Sequence, residues 1–234
     1  MTTDSGSFLT ALRLADSFLP VGGYTASYGL EQYINEDRIE DGDDLRDLLA
    51  AYLRRVVGPC ETVAVANAHA ARTEGDLERL LAVDERLHAV TMPREFRESS
   101  TKAGAKLCEL LVAGDDVRTP DSGAGVADAI EQNSTPGHYP VVFGVVAADR
   151  GLSRLEACLA HAYSFVTGLL GAAQRLGRFG HTEIQSVLES VQPVVTEACE
   201  RYVDADVTTM SSFAPLTEIM GMRHERAGRR LFMS

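Results

Sequence analysis

The chain has 234 residues, 45% of them hydrophobic, so it can bury a sizeable core without a disulfide or metal staple. Acidic residues number 34 against 22 basic ones, a formal net charge of −12, which disfavours duplex DNA or an anionic membrane surface as a partner. No apolar run approaches the ~20 residues of a bilayer span, and the first residues lack the basic leader of a secretory signal, so the cytoplasm is the expected compartment.

Near the N-terminus, Leu19-Pro20-Val21-Gly22-Gly23-Tyr24-Thr25-Ala26-Ser27-Tyr28-Gly29-Leu30-Glu31 is the sharpest local signal. Pro20 sets φ and biases Leu19 towards an extended conformation. Gly22-Gly23 permits a tight, left-handed turn, and Thr25 or Ser27 can cap a following helix. Two readings stand side by side: a helix-loop-helix corner, or a rigid surface that presents Tyr24, Tyr28 and Glu31 to a partner.

Helical periodicity dominates the rest. Asp43 or Asp44 is the expected N-cap of a helix with Leu45, Leu48, Leu49, Tyr52, Leu53 and Val56 along one face, ended by Gly58-Pro59. A second helix is expected from Cys60 to about Arg72. Gly75-Asp76 opens a third, with Leu77, Leu80, Leu81, Leu87 and Val90 inward. Pro93 starts a fourth that reaches about Val112, with Phe96, Ala103, Leu107, Leu110 and Leu111 on one side.

Residues 113–138 are rich in Gly, Asp, Ser, Thr, Pro and Asn and read as a long solvent-exposed acidic loop, with a short helical turn near residues 126–130. Pro140 begins an apolar helix through Val146. Ser153 caps the longest helix, whose Gly168 and Gly171 are expected to admit a close neighbouring helix, since each costs about 1 kcal/mol relative to Ala. A last long helix carries Ile184, Val187, Leu188, Val191, Val195, Cys199 and Tyr202, kinked or broken at Pro193. The expected fold is all-α, a single helical bundle of about eight to ten helices.

No phosphate-binding loop, H-E-x-x-H, G-x-S-x-G or EF-hand pattern is present. Cys60, Cys108, Cys158 and Cys199 lie far apart and read as reduced, buried small hydrophobes. His69, His88 and His161 fall within helical patterns and read as ordinary half-buried residues, while His138 and His181 lie at loop ends. His224 alone merits testing as a point of metal contact, and a small helical enzyme using His224 or a cysteine is the competing reading. The C-terminal region runs Ser212-Phe213-Ala214-Pro215, then Met222-Arg223-His224-Glu225, then Arg230-Leu231-Phe232-Met233-Ser234. Apolar residues behind a cationic stretch form an element that docks, on its own core or on another protein. Of the basic residues only Lys102 and Lys106 are lysines, a composition that resembles proteins adapted to a halophile's cytoplasm.

These segments resemble the UreF family of urease accessory proteins. Leu19-Pro20, Gly22, Tyr24, Ser27, Gly29, Leu30 and Glu31 match its L-P-x-G-x-[FY]-x-x-S-x-G-L-E. Glu95, Arg97, Ser100 and Gly104 match its central helix pattern, E-x-R-x-x-S-x-x-x-G, and Arg175-Leu176, Gly180, His181 and Gln185 echo a later turn that often has Gln where His181 stands. The S-F-x-P, M-R-H-E and R-L-F-x-S patterns complete the match. The resemblance implies one all-α domain over residues 1–234, with a partner-binding segment at about 210–234. It also implies a non-catalytic homodimeric scaffold or chaperone with no permanently bound cofactor. Such a scaffold bridges UreD (also called UreH) and the GTPase UreG for nickel insertion into apo-urease. Pro20, Gly22, Gly23, Tyr24, Ser27, Tyr28, Glu31, Arg223, His224, Glu225, Arg230, Leu231 and Phe232 become the expected partner-binding set, and the C-terminal segment is expected to order on UreD.

Overall fold

The computed structural model describes residues 5–22, 27–113, 124–228 and 231–232. Among these, eleven α-helical segments and no strand are found: α1 (Ser5–Ala15), α2 (Leu30–Asn35), α3 (Gly42–Tyr52), α4 (Val63–Glu74), α5 (Leu77–Val90), α6 (Arg94–Ala113), α7 (Ala124–Glu131), α8 (Tyr139–Asp149), α9 (Arg154–Arg175), α10 (His181–Tyr202) and α11 (Pro215–His224). A π-helical segment, Leu53–Thr62, joins α3 to α4. The three make one rod over residues 42–74, so the all-α expectation of about ten helices stands.

The rod corrects the expected stop at Gly58-Pro59. Pro59 has no N–H to donate to the Arg55 carbonyl four residues earlier, which ordinarily ends a helix. Here the wider π turn accommodates the ring, and an extended stretch beside it supplies the missing donor: Phe213 N–H donates to the Arg55 carbonyl at 3.3 Å, and Ser211 N–H to the Pro59 carbonyl at 3.1 Å. Gly58 is needed for a second reason. A Cβ there would lie 2.8 Å from the Leu53 carbonyl oxygen and 2.9 Å from the Tyr202 ring.

At the centre, α8 crosses α4. Positions 140–147 of α8 and 63–71 of α4 are all buried; α8 is apolar on every side there, and the polar Asn67 and His69 of α4 are hydrogen-bonded to backbone carbonyls. Gly144 permits the crossing, because a Cβ would lie 2.5 Å from the Val65 carbonyl oxygen. Around this pair pack α9, α6, α5 and the π segment, and α10 packs outside them on α9, α3 and the π segment. By length and composition α9 could cross a membrane, contrary to the expectation that no segment could, but 56% of its apolar window is buried against the other helices.

Several local expectations are revised. The N-cap of α3 is Asp41, which accepts from Asp43 and Asp44 N–H; those two acids instead occupy the first turn, where they complement the helix dipole. Asp76 caps α5 by accepting from Arg79 N–H, and Ser153 with Glu156 forms a reciprocal capping box on α9. Leu77 is exposed, whereas Val83 and Asp84 are buried. α10 runs unbroken through Pro193, which sits on its exposed side. Gly168 and Gly171 admit no neighbouring helix: a Cβ at Gly168 would meet nothing, and one at Gly171 only the Arg175 side chain. They border open space.

The expected loop of residues 113–138 is part solvent loop and part core. Residues 114–123 lie outside the described ones. α7 extends the expected turn, and Thr135 and His138 are buried. The Asp84 carboxylate gathers this return, accepting from Thr135 Oγ1 at 2.6 Å, Gly137 N–H at 2.6 Å and His138 N–H at 2.9 Å. Burial pushes His138 down to about 4, and its Nε2 lies 2.9 Å from Nδ1 of His88.

Candidate functional site

The two terminal motifs and the α6 motif meet at one place. Gly29, the residue that precedes α2, has a left-handed φ of 78°; a Cβ there would lie 3.1 Å from Gly221 N on α11. Gly29 therefore lets the start of α2 close on α11, and Gly221 lets α11 close on the start of α6, since a Cβ there would lie 2.9 Å from the Phe96 ring. Ser27 does not cap α2 with its side chain. Its hydroxyl is buried without a partner among the described residues, and its carbonyl accepts from Leu30 N–H at 2.8 Å. Gly23, Tyr24 and Thr25 lie outside the described residues.

Between the helices stands His224, 1% exposed. Its Nδ1 is 2.8 Å from Glu95 Oε2 and its Nε2 is 3.2 Å from Glu31 Oε2. The ring thus bridges the two acids, one at each nitrogen. Glu31 also accepts from the backbone N–H of Leu231 at 3.0 Å and of Phe232 at 3.2 Å. One buried carboxylate thus ties the N-terminal motif to the C-terminal tail. Phe232 is 8% exposed in the main core, with the Arg175 guanidinium 5.1 Å from its ring centre, whereas Leu231 is 78% exposed. In this protein the tail docks on its own core.

The other motif residues have assignable jobs. Glu225 accepts from Glu95 N–H at 3.0 Å, satisfying an orphan donor in the first turn of α6. Arg223 pairs with Glu36 at 2.8 Å on the exposed side. Arg97 donates to the Thr91 and Met92 carbonyls, both at 2.7 Å. Ser100 Oγ accepts from Tyr139 N–H at 3.2 Å. Gly104 admits the returning backbone, since a Cβ would lie 2.0 Å from the Gly137 carbonyl oxygen. Tyr28 stacks against Phe96 and Phe165, ring centres 5.3 and 4.9 Å away, and its carbonyl accepts from Tyr52 Oη.

The expected display of Glu31 on a surface is therefore corrected. Glu31 is 4% exposed, held inward by donors from His224, Leu231 and Phe232 that replace the water it gives up. Ser27 and His224 are buried with it, Tyr28 and Glu225 are half-buried, and Pro20, Arg223 and Leu231 are exposed. Gly22 has a φ of 82°, the expected left-handed turn. Arg230 lies outside the described residues. His224 has no ring nitrogen left for a substrate or a metal, and no cluster of three or more metal-ligating side chains occurs among the described residues. All four cysteines are free and buried, and burial pushes the Cys60, Cys108, Cys158 and Cys199 thiols up.

Beside this junction opens a cavity of about 330 Å³, lined by Leu19, Val21, Tyr28, Glu61, Tyr139 and His161 among others. Sequence reasoning missed Glu61. It sits in the π segment, and burial pushes its carboxyl up to about 7, while burial pushes His161 down to about 4. Their 3.7 Å separation would admit an ion pair, but desolvation favours the neutral form of each. The signal was a lone acid in the apolar run Val56-Val57-Gly58-Pro59-Cys60-Glu61-Thr62-Val63.

The fold and this site define an all-helical protein whose distinctive residues fasten its two ends together around a buried histidine. Residues 39–192 match the family model UreF. Over 232 residues, 99% of both chains, it is 31% identical to "Urease accessory protein UreF" of Trichodesmium erythraeum. It is 30% identical to "Urease accessory protein UreF 1" of Brucella melitensis over 97% of this chain and 92% of the relative, and 27% identical to a UreF of Yersinia enterocolitica over 98% and 99%. The chain belongs to the UreF family of urease accessory proteins. The family-model match ends short of both terminal motifs, but the pairwise matches cover nearly the full length.

Proposed function

We propose that this protein is a non-catalytic scaffold of urease maturation that bridges UreD/UreH and the GTPase UreG, so that nickel reaches apo-urease. It works as a cytoplasmic homodimer and holds no cofactor permanently; nickel is cargo of the complex. The observation that carries this reading is similarity along nearly the whole sequence to proteins named as urease accessory factors. The surface supports it. Phe8, Leu9, Leu12 and Phe18 on and after α1 are 53 to 89% exposed, as are Phe213 and Leu231 at 72 and 78%, and exposed apolar groups of this size suit protein contacts. The competing enzyme reading loses its residues, since His224 is fully engaged and the cysteines are buried.

The test is urease activity and nickel content in cells lacking the gene, grown with nickel. Assembled, nickel-poor and inactive urease, rescued by the intact gene, is the expected result; normal loading overturns the reading. Deletion of residues 230–234 is expected to weaken UreD binding, measured by co-elution of the purified proteins.

A further inference from the structure

The cavity beside the terminal junction has features that the fold itself does not require. Gly168 and Gly171 line it, and a Cβ at Gly168 would meet no atom within 4 Å. Glycine inside a helix weakens it, and neither residue repays that with a helix contact, so their structural effect is to keep the wall open. At the floor, His161 is 3% exposed, yet its Nδ1 has no hydrogen-bond partner among the described residues. Beside it, the Glu61 carboxylate lies 3.7 Å from the His161 ring. Glu61 is presented by a π segment, a helix irregularity that recurs at functional sites. The aromatic rings of Tyr28, Tyr139 and Phe165 form the walls.

A buried carboxyl group, an imidazole nitrogen and aromatic faces together recognise an alkylammonium or guanidinium group, whose charge favours the ionised form of the acid beside it. A transition metal would need at least a third strong donor, and the described residues gather none. Asp16 adds a second carboxylate at the mouth; the Arg175 guanidinium there lies over the Phe232 ring. The rim argues for a cation carried by a protein rather than a free small amine. Phe18, between lining residues Ser17 and Leu19, is 89% exposed. A small ligand inside the cavity would leave it uncovered.

We propose that this cavity is a socket for a lysine or arginine side chain of a partner protein, with Glu61 and His161 as its polar floor and Phe18 as part of its apolar rim. The inference rests on the scaffold reading and adds to it the chemistry of one contact.

The experiment measures binding of purified UreD and UreG to the full-length protein and to Gly168→Leu and Glu61→Gln, with melting temperature as a folding control. Gly168→Leu fills the socket from a position with free space, so it should fold as the wild type does. Both variants are expected to weaken binding of one partner at least tenfold. Butylammonium chloride, titrated alone, is expected to bind the wild type saturably in the millimolar range and to compete with that partner. Wild-type affinity in a folded Gly168→Leu variant overturns the proposal, and tight butylammonium binding without any effect on partners assigns the cavity to a free amine instead. Failure of the wild type to bind either partner sinks the scaffold reading. In that case saturable butylammonium binding lost in Glu61→Gln keeps the cation preference, and its absence overturns it.

Discussion

His224 shows how much one residue decides here. Removing it leaves Glu31 and Glu95 facing each other without the intervening ring, both largely buried. Leaving a buried carboxyl group without its hydrogen-bond partner costs about 1–3 kcal/mol, so His224→Ala should lower the urea midpoint by a corresponding margin and expose the tail to proteolysis. A melting curve matching that of the wild type would contradict the junction. Glu61 makes a pH prediction. Its folded value, about 7, is raised above the ordinary ~4.3, so the stability it allows is complete below about pH 4 and is lost as pH rises through 7. His161 and His138, both lowered to about 4, work in the opposite direction: their contribution is complete above about pH 6.5 and is lost towards pH 4. Glu61→Gln should therefore stabilise the protein at pH 8, by at most about 3 kcal/mol, and leave it little changed at about pH 4.5. Melting curves at the two pH values check this.

Among the helices, glycines with the same name do opposite things. Gly104→Ala would drive a Cβ to 2.0 Å from a backbone carbonyl oxygen and should cost more than about 2 kcal/mol, as forced overpacking does. Gly168→Ala meets nothing and should gain up to about 1 kcal/mol of helix propensity. Denaturation of the pair decides whether the cavity wall is as open as the geometry has it. The π segment makes its own prediction. The Ser211 and Phe213 amides donate to carbonyls of the π segment, so both should exchange with solvent slowly although Phe213 is 72% exposed. Rapid exchange at both would mean that the stretch does not satisfy the rod that Pro59 interrupts.

For the molecule as a whole, charge sets the expectation. With a net charge of −12, self-repulsion opposes the compact state until salt screens it. Raising KCl from about 0.1 to about 2 M should raise the melting temperature by about 5 °C or more; a flat response would remove the case for adaptation to high salt. The three motif segments, separated by up to 193 positions in the Glu31 to His224 contact, act as one junction, so destabilising α11 should also loosen α2. Hydrogen exchange of Leu30 and Tyr33 amides in His224→Ala tests that coupling.

The helical character, the Asp76 and Ser153 caps and most apolar faces could be read from local pattern, because periodicity and capping depend on neighbours within a few residues. The importance of Glu31, Glu95, Gly104 and His224 could be read too, through the resemblance, but not their inward orientation. Sequence suggested display where packing produced a buried clasp, because a carboxylate turns inward only when donors from distant segments meet it. Pro59 looked like a stop, and it became part of a continuous rod because Phe213, far along the sequence, supplies a donor. Asp84 and the open face of Gly168 came from tertiary structure alone, and the role of Glu61, although its place in an apolar run marks it, became visible only there. Which carboxylate loses water, and which glycine touches nothing, is set by elements that approach through space rather than along the backbone.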